Sequence, residues 1–374
     1  MSQRGHRRQV LLFLIAVIVP SAVLVALSLR MISQERELTE KRLSDEQHRR
    51  VSDIRQQLLT RLERIKLKRV SGLATQNNTT TTVDYKDPEL VLVGSVENNQ
   101  LVLPWEESRA AEDFQRLLSE PEFARRIQQG EQEELEAKQF AKAASSYRQA
   151  MSAAHASEQA AYAELLLARS LAKSQQQSEA TVHYKKILAL PSELVDEQGV
   201  PFSLYAAGRL LEIGMEQQAV LERIRAELNT NRWLPPTESY ILRELANKLA
   251  ETAPDNTIRE AAKQAQQQIS SRIRELEQAM ALQKDFPNLK LTAVAGNQSR
   301  AAEPLWIPYG EETWLVSVTN ELASVRSVVI AVRADRVLGA LDLTKNSGNK
   351  INFITGSESQ GESLGETFPG LRLA

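Results

Sequence analysis

The stretch AAYAELLLARSLAKSQQQSEATVHYKKILALP, residues 160–191, decides how this chain is to be read. Leu167, Ala168 and Leu171 fall at helical spacing. The polar run SQQQS then interrupts the pattern, and Ala180, Tyr184, Ile187 and Leu188 resume it before Pro191. This predicts two helices folded back on each other. A small residue sits where the helices cross closely, an aromatic ring fills the gap beside it, and a proline ends the pair. The pattern of Gln177, Ala180, Tyr184, Ile187 and Leu188 also stands thirty-seven residues earlier, as Phe140, Ala143, Tyr147, Ala150 and Met151. A fixed period of this size is the mark of stacked supersecondary units that bury one continuous core.

The two units resemble tetratricopeptide repeats, slightly stretched from the usual 34-residue period. The positions expected to pack are Phe140, Ala143, Tyr147, Ala150, Leu167, Ala168, Leu171, Ala180, Tyr184 and Leu188. A degenerate third unit spans 202–228, with Leu204, Ala207, Leu210 and Leu211, then Val220 and Ile224. An irregular helical bundle is the alternative. Gln175 and Gln176, in the turn between helices, are expected to accept substitution freely.

Outward from these repeats, helical periodicity covers 108–286, punctuated near Pro121, Gly130, Pro191, Pro201, Gly214, Pro235, Pro236 and Pro254. Its last part, 257–283, carries Ile258, Ala262, Ala265, Ile269, Ile273, Leu276 and Met280 on one face of a long helix. The segments on either side read as strands. Before the helices, 90–96 and 101–103 flank Glu97-Asn98-Asn99 as a hairpin; after them, 289–294, 313–318, 327–332 and 351–355 are strands and 334–341 a short helix. A lone hairpin is marginal in water, so the economical arrangement joins the early and late strands in one small sheet with the repeats inserted between. The Ser-, Glu- and Gly-rich stretch 356–374 reads as a linker.

The N-terminal end has a different character. Residues 10–29, VLLFLIAVIVPSAVLVALSL, carry no charge over a length that spans a bilayer. Arg4, Arg7 and Arg8 precede the run, which places residues 1–9 in the cytoplasm and the body outside it. A cleaved signal peptide is the alternative, but SLRMISQ offers no small-x-small cleavage site. Residues 30–71 follow as a stalk helix without Gly or Pro until its end, and Val51, Ile54, Leu58, Leu62 and Ile65 form an apolar stripe. The stripe suits either a coiled-coil homodimer or packing on the protein's own body.

The composition narrows the chemistry. Hydrophobic residues at 42% and charged residues at 25% describe a folded chain, and a net charge of −2 argues against a nucleic-acid partner. With no cysteine there are no disulfides, thiolate metal sites or Cys nucleophiles. His6, His48, His155 and His183 lie far apart without metal-ligand spacing, and no glycine-rich loop opens a helix. No cofactor, catalytic residue or metal site is expected. Trp306, Tyr309 and Trp314 are candidates for a small-ligand pocket, with core packing as the plainer role.

The anchor and stalk, the central AAYAELLLARSLAKS and ATVHYKKILALPSELVDEQGVPFSLYAAGRLLE, and the ending GETFPGLRLA carry one further likeness. Together they resemble the N-terminal extracytoplasmic sensory region of bacterial membrane sensor histidine kinases. That resemblance implies a mainly α, single-pass inner-membrane protein with a small PAS- or Cache-like α+β element at 72–107 and 287–355. It further implies a two-component signal-input function, with a small ligand or envelope protein as the signal. The phosphoacceptor helix, ATP-binding boxes and second span of that family have no counterpart in these residues, so a kinase would be supplied elsewhere. A membrane-anchored tetratricopeptide scaffold that binds envelope proteins or peptides is the alternative.

Overall fold

The computed structural model describes residues 30–31, 38–39, 41–42, 44–68, 89–106, 110–230, 233–289, 305–311, 313–320, 327–339, 353–355, 362–365, 367–369 and 371–373. The apolar run 10–29, the polar break after Gly72 and most of the strand expected at 289–294 lie outside them. Among the described residues no helix is long and apolar enough to cross a membrane. The chain divides into two compact units: Ile65–Val337, and Met1–Arg64 together with Leu338–Ala374. At 67% helical with a curled antiparallel five-stranded sheet, the fold is mainly α.

The larger unit begins with the hairpin β1 (Leu90–Glu97) and β2 (Gln100–Val102), closed by Asn98 and Asn99 at φ 49° and 64°. Two successive left-handed residues make the tight turn whose twist matches the strands, and asparagine is among the few residues that accept it. Helices α2 (Ala110–Leu118) to α10 (Asn256–Asp285) follow. They pack as consecutive hairpins: α3 (Pro121–Glu131) on α4 (Phe140–Ser152), α5 (Ser157–Lys173) on α6 (Gln177–Leu188), α7 (Phe202–Glu212) on α8 (Gln217–Leu228), and α9 (Pro236–Thr252) on α10. Each pair also meets the next, so one core runs from Phe114 to Ile273.

Local sequence sets these boundaries. Pro121 and Pro236 occupy first-turn positions, where a missing N–H costs nothing. Asp255 caps α10 by accepting from the Thr257 N–H at 2.7 Å. α7 ends on Gly214 at φ 72°, with Met215 N–H bonded to Leu210 O at 2.9 Å. α5 ends in the same way, Gln176 N–H reaching Leu171 O at 2.9 Å, but with Gln175 at φ 64°. A left-handed glutamine is strained, so Gln175 is not the indifferent turn residue its exposure suggests.

Gly130 lies inside α3 and does not break it. A Cβ at this position would collide with Cε1 of Tyr147, so glycine lets the tyrosine ring of α4 lie directly on the α3 backbone. Ala168 stands in the matching place on α5, twelve positions ahead of Ala180, whereas Gly130 is thirteen ahead of Ala143. The extra residue is taken up by a π-helical turn, Gln132–Glu136, in which Ala137 N–H bonds Gln132 O at 3.1 Å.

The late strands β3 (Ile307–Tyr309), β4 (Trp314–Asn320) and β5 (Ser327–Arg333) join the early hairpin in the order β2-β1-β5-β4-β3, all antiparallel. Leu92 opposite Ala331 and Val316 opposite the same residue put one face against α10, where Ala279, Leu282 and Phe286 complete a second core. Leu315, Ser317, Ile330 and Val332 on the other face are buried as well. α10 therefore serves two cores: Ala262 to Ile273 face the hairpins, and Ala279 and Leu282, with Phe286 just past its end, face the sheet. The short helix α11 (Ala334–Gly339) follows β5.

In the smaller unit, residues 44–68 form helix α1, whose final residues from Ile65 belong to the larger one. Ile54, Leu58, Leu62 and Ile65 are buried within the single chain, so of the two uses open to this stripe, packing on the chain itself is the observed one. The strand expected at 351–355 is observed as β6 (Phe353–Thr355), whereas part of 356–374, expected to be a linker, forms strands β7 (Glu362–Ser363) and β8 (Leu371–Leu373), in the order β6-β8-β7. Leu364, Phe368 and Leu371 are buried there. Ser, Glu and Gly dominate the composition, and three well-spaced apolar side chains are enough to order the segment.

Candidate functional site

Glu134 is buried in the middle of the π turn, at 1% exposure. Arg169 from α5 meets it with both prongs, Nε to Oε1 and Nη2 to Oε2, each at 2.8 Å. Lys173 Nζ, one helical turn further on, donates to Oε1 at 2.8 Å, and the Tyr147 hydroxyl of α4 donates to Oε2 at 2.8 Å. Three helical segments thus converge on one carboxylate. The neighbouring Glu133 accepts from Ser146 Oγ at 2.7 Å, and Lys173 stands 5.8 Å over the Phe140 ring.

A buried carboxylate is tolerable only when fully paired. Burial pushes the Glu134 pKa up, but the bonds from Arg169, Lys173 and Tyr147 outweigh that and hold it below the ordinary carboxylate value. The same burial, together with the adjacent carboxylate, drives the Tyr147 phenol well above its ordinary range. With both oxygens bonded twice, Glu134 has no free lone pair for proton abstraction. Its chemistry is that of a structural knot with a cationic outer edge, since Arg169 and Lys173 remain 35% and 41% exposed.

Because the folded pKa is lowered, the stabilisation is complete above the unfolded carboxylate range near pH ~4.3 and is lost as pH falls through the folded value. Glu134→Gln is expected to cost roughly 1.5–3 kcal/mol at neutral pH, the worth of hydrogen bonds to a charged group. The difference should close in acid. Thermal unfolding of both chains from neutral pH down into acid checks this; parallel curves would contradict the assignment.

Around the knot, tyrosine–carboxylate pairs recur. Tyr162 of α5 meets Glu131 Oε1 at 3.4 Å, and burial with that carboxylate raises its phenol to about 12. Tyr205 of α7 donates to Asp196 Oδ2 at 2.5 Å. Glu164 and His183, nineteen residues apart, meet at 2.9 Å between α5 and α6. Among the described residues no group of three His, Asp or Glu side chains is placed to hold a metal ion.

The residues singled out from sequence take these places. Ala143, Tyr147, Ala150, Leu167, Ala168, Leu171, Ala180, Tyr184 and Leu188 all belong to the continuous hairpin core, and Phe140 is half-buried beneath Lys173. Trp306 and Trp314 are wholly buried. Tyr309 lies directly opposite Trp314 across β3 and β4, and its hydroxyl donates to Asp285 of α10 at 2.8 Å. The Tyr309 hydroxyl thus ties β3 to α10, and the Trp314 ring packs in the sheet core. The Glu134 knot escaped sequence reading because its cationic partners lie 35 and 39 residues away. One signal was present: a tyrosine at a position argued to be buried needs an acceptor for its hydroxyl.

Comparison of the chain with protein-family models, with curated proteins and with solved structures finds no match.

Proposed function

We propose that this chain is a signal-input region: a tetratricopeptide-like helical body, carried on an N-terminal membrane helix outside the cytoplasm, that reads a ligand or protein. The observation that carries the reading is the composition of the smaller unit. Arg55 of α1 donates to Thr367 Oγ1 at 3.1 Å, and its guanidinium lies 2.9 Å from where a Cβ on Gly365 would stand. The helix that follows the apolar run and residues 338–374 thus belong to one unit, with the helical body lying between them in sequence. A change of state in such a body reaches both ends of the chain, as a two-state input device requires. The plain scaffold reading needs no such junction.

The test uses the chain joined at Ala374 to a second membrane span and the kinase core of a well-behaved sensor. Arg55→Ala should shift basal kinase output several-fold, while a change at the exposed Arg148 leaves it as it was. Equal output from all three chains would favour the scaffold.

A further inference from the structure

Strand β4 and the residue just ahead of β3 bury three polar atoms that have no hydrogen-bond partner: Trp306 Nε1, Trp314 Nε1 and Ser317 Oγ. Both indoles are 0% exposed and Ser317 is 2% exposed. Buried indole N–H and hydroxyl groups ordinarily find a partner, so each of these needs a reason. The register separates them. Trp306 stands one residue ahead of the Ile307–Val316 pair, which brings it opposite Ser317. Ser317 pairs in turn with Ile330, and Ile330 with Val93, so one cross-strand row reads Trp306, Ser317, Ile330, Val93. Leu315 and Val332 flank that row on the same face, the one turned away from α10. Trp314 lies on the opposite face, in the core with Ala279, Leu282 and Phe286. Only the face turned from α10 therefore sets two unpaired groups side by side in an apolar frame.

We propose that this face of the sheet binds a small, uncharged, largely apolar molecule through one carbonyl-type oxygen, which accepts from Trp306 Nε1 and Ser317 Oγ together. An indole N–H can only donate and a serine hydroxyl can donate, so what the pair lacks is an acceptor. The acceptor is uncharged because no cation is there to meet an anion. Among the described residues no Lys or Arg stands in these rows, and Arg333 falls on the opposite face, where it meets Glu275 at 3.4 Å. A carboxylate buried on this face would pay for desolvation without a partner, and a ketone, ester or amide would not. In the unbound chain neighbouring groups close over both atoms and leave them unpaired, a cost that the ligand's oxygen removes on binding. That difference between unbound and bound states is what a ligand needs in order to shift an equilibrium. The site goes beyond the signal-input reading and stands or falls on binding alone.

The test uses the full chain in detergent, isotope-labelled at the indole nitrogens of its four tryptophans, so that each gives one N–H resonance. Trp306→Phe identifies the resonance that matters. Cyclohexanone is the probe, with cyclohexanecarboxylate and methylcyclohexane as charged and acceptor-free counterparts of the same ring. Cyclohexanone should move the Trp306 resonance saturably and leave that of Trp314 in place. Neither counterpart should move it. Ser317→Ala should weaken the cyclohexanone titration about fivefold, the effect of one lost hydrogen bond. A Trp306 resonance that cyclohexanone leaves unmoved overturns the proposal, as does equal movement with the carboxylate or the hydrocarbon. If Trp306→Phe does not fold, Ser317→Ala decides the matter, since it removes a single oxygen; a titration it leaves unchanged overturns the shared acceptor. A chain that binds cyclohexanone but gives equal output in the kinase-output test keeps this site and loses the signal-input reading, so the two fail separately.

Discussion

Tyr147→Ala should lower stability by about 3–5 kcal/mol, the cost of truncating a fully buried aromatic side chain. The ring is wholly buried, lies on the Gly130 backbone and gives its hydroxyl to Glu134. Two losses therefore combine: a cavity between α3 and α4, and one of the donors that neutralise a buried carboxylate. Tyr147→Phe separates them by keeping the ring. Gly130→Ala approaches the same contact from the other side and should cost about 1–3 kcal/mol through overpacking. In the double variant Gly130→Ala/Tyr147→Ala the added methyl meets a cavity, so the combined loss should be less than the sum. Denaturant unfolding of the four chains measures this. Strict additivity would mean that the glycine and the ring do not share a contact.

The second large effect is expected at Glu277→Pro. Glu277 is an exposed position of α10 between Ile273, in the hairpin core, and Ala279, in the sheet core. Proline here removes a helix hydrogen bond and clashes with the preceding turn, at a cost of about 3 kcal/mol or more. The consequence for cooperativity is more specific. Three of the four tryptophans, Trp105, Trp233 and Trp314, lie in or against the sheet core, so tryptophan fluorescence reports mainly there, while far-UV circular dichroism reports mainly on the hairpins. The two signals should coincide in the unaltered chain and separate in Glu277→Pro, with Glu277→Ala behaving as the unaltered chain does. Coincident transitions in all three would show that α10 is not what ties the cores together.

These effects mark where sequence was sufficient and where it was not. Periodicity placed the hairpins around Ala143, Tyr147, Ala180 and Tyr184, because a packed helix face must repeat every three to four residues. It also placed the early hairpin with the late strands, because two short strands need partners. Gly130 was read as a break because glycine more often ends a helix than serves as a close-approach point within one, and the two uses look alike in isolation. The π turn has no sequence signature at all. Its mark is one extra residue between Gly130 and Ala143 compared with Ala168 and Ala180, a difference that carries no meaning until the π turn is seen. The segment 362–373 looked like a linker because composition averages over Leu364, Phe368 and Leu371, the residues that order it. Glu134 sits in a run of glutamates that resembles a solvated face, and only long-range partners distinguish it.

In the proposed signal-input reading the helical body stands outside the cytoplasm on an N-terminal membrane helix. The absence of cysteine from the chain makes a direct measurement available. Single cysteines at Gln3 and at the exposed Gln176 can be labelled with a membrane-impermeant maleimide, in spheroplasts and again after lysis. The account predicts that Gln176→Cys is labelled in intact spheroplasts and that Gln3→Cys is labelled only after lysis. Labelling of Gln176→Cys only after lysis would place the body in the cytoplasm and contradict the signal-input reading.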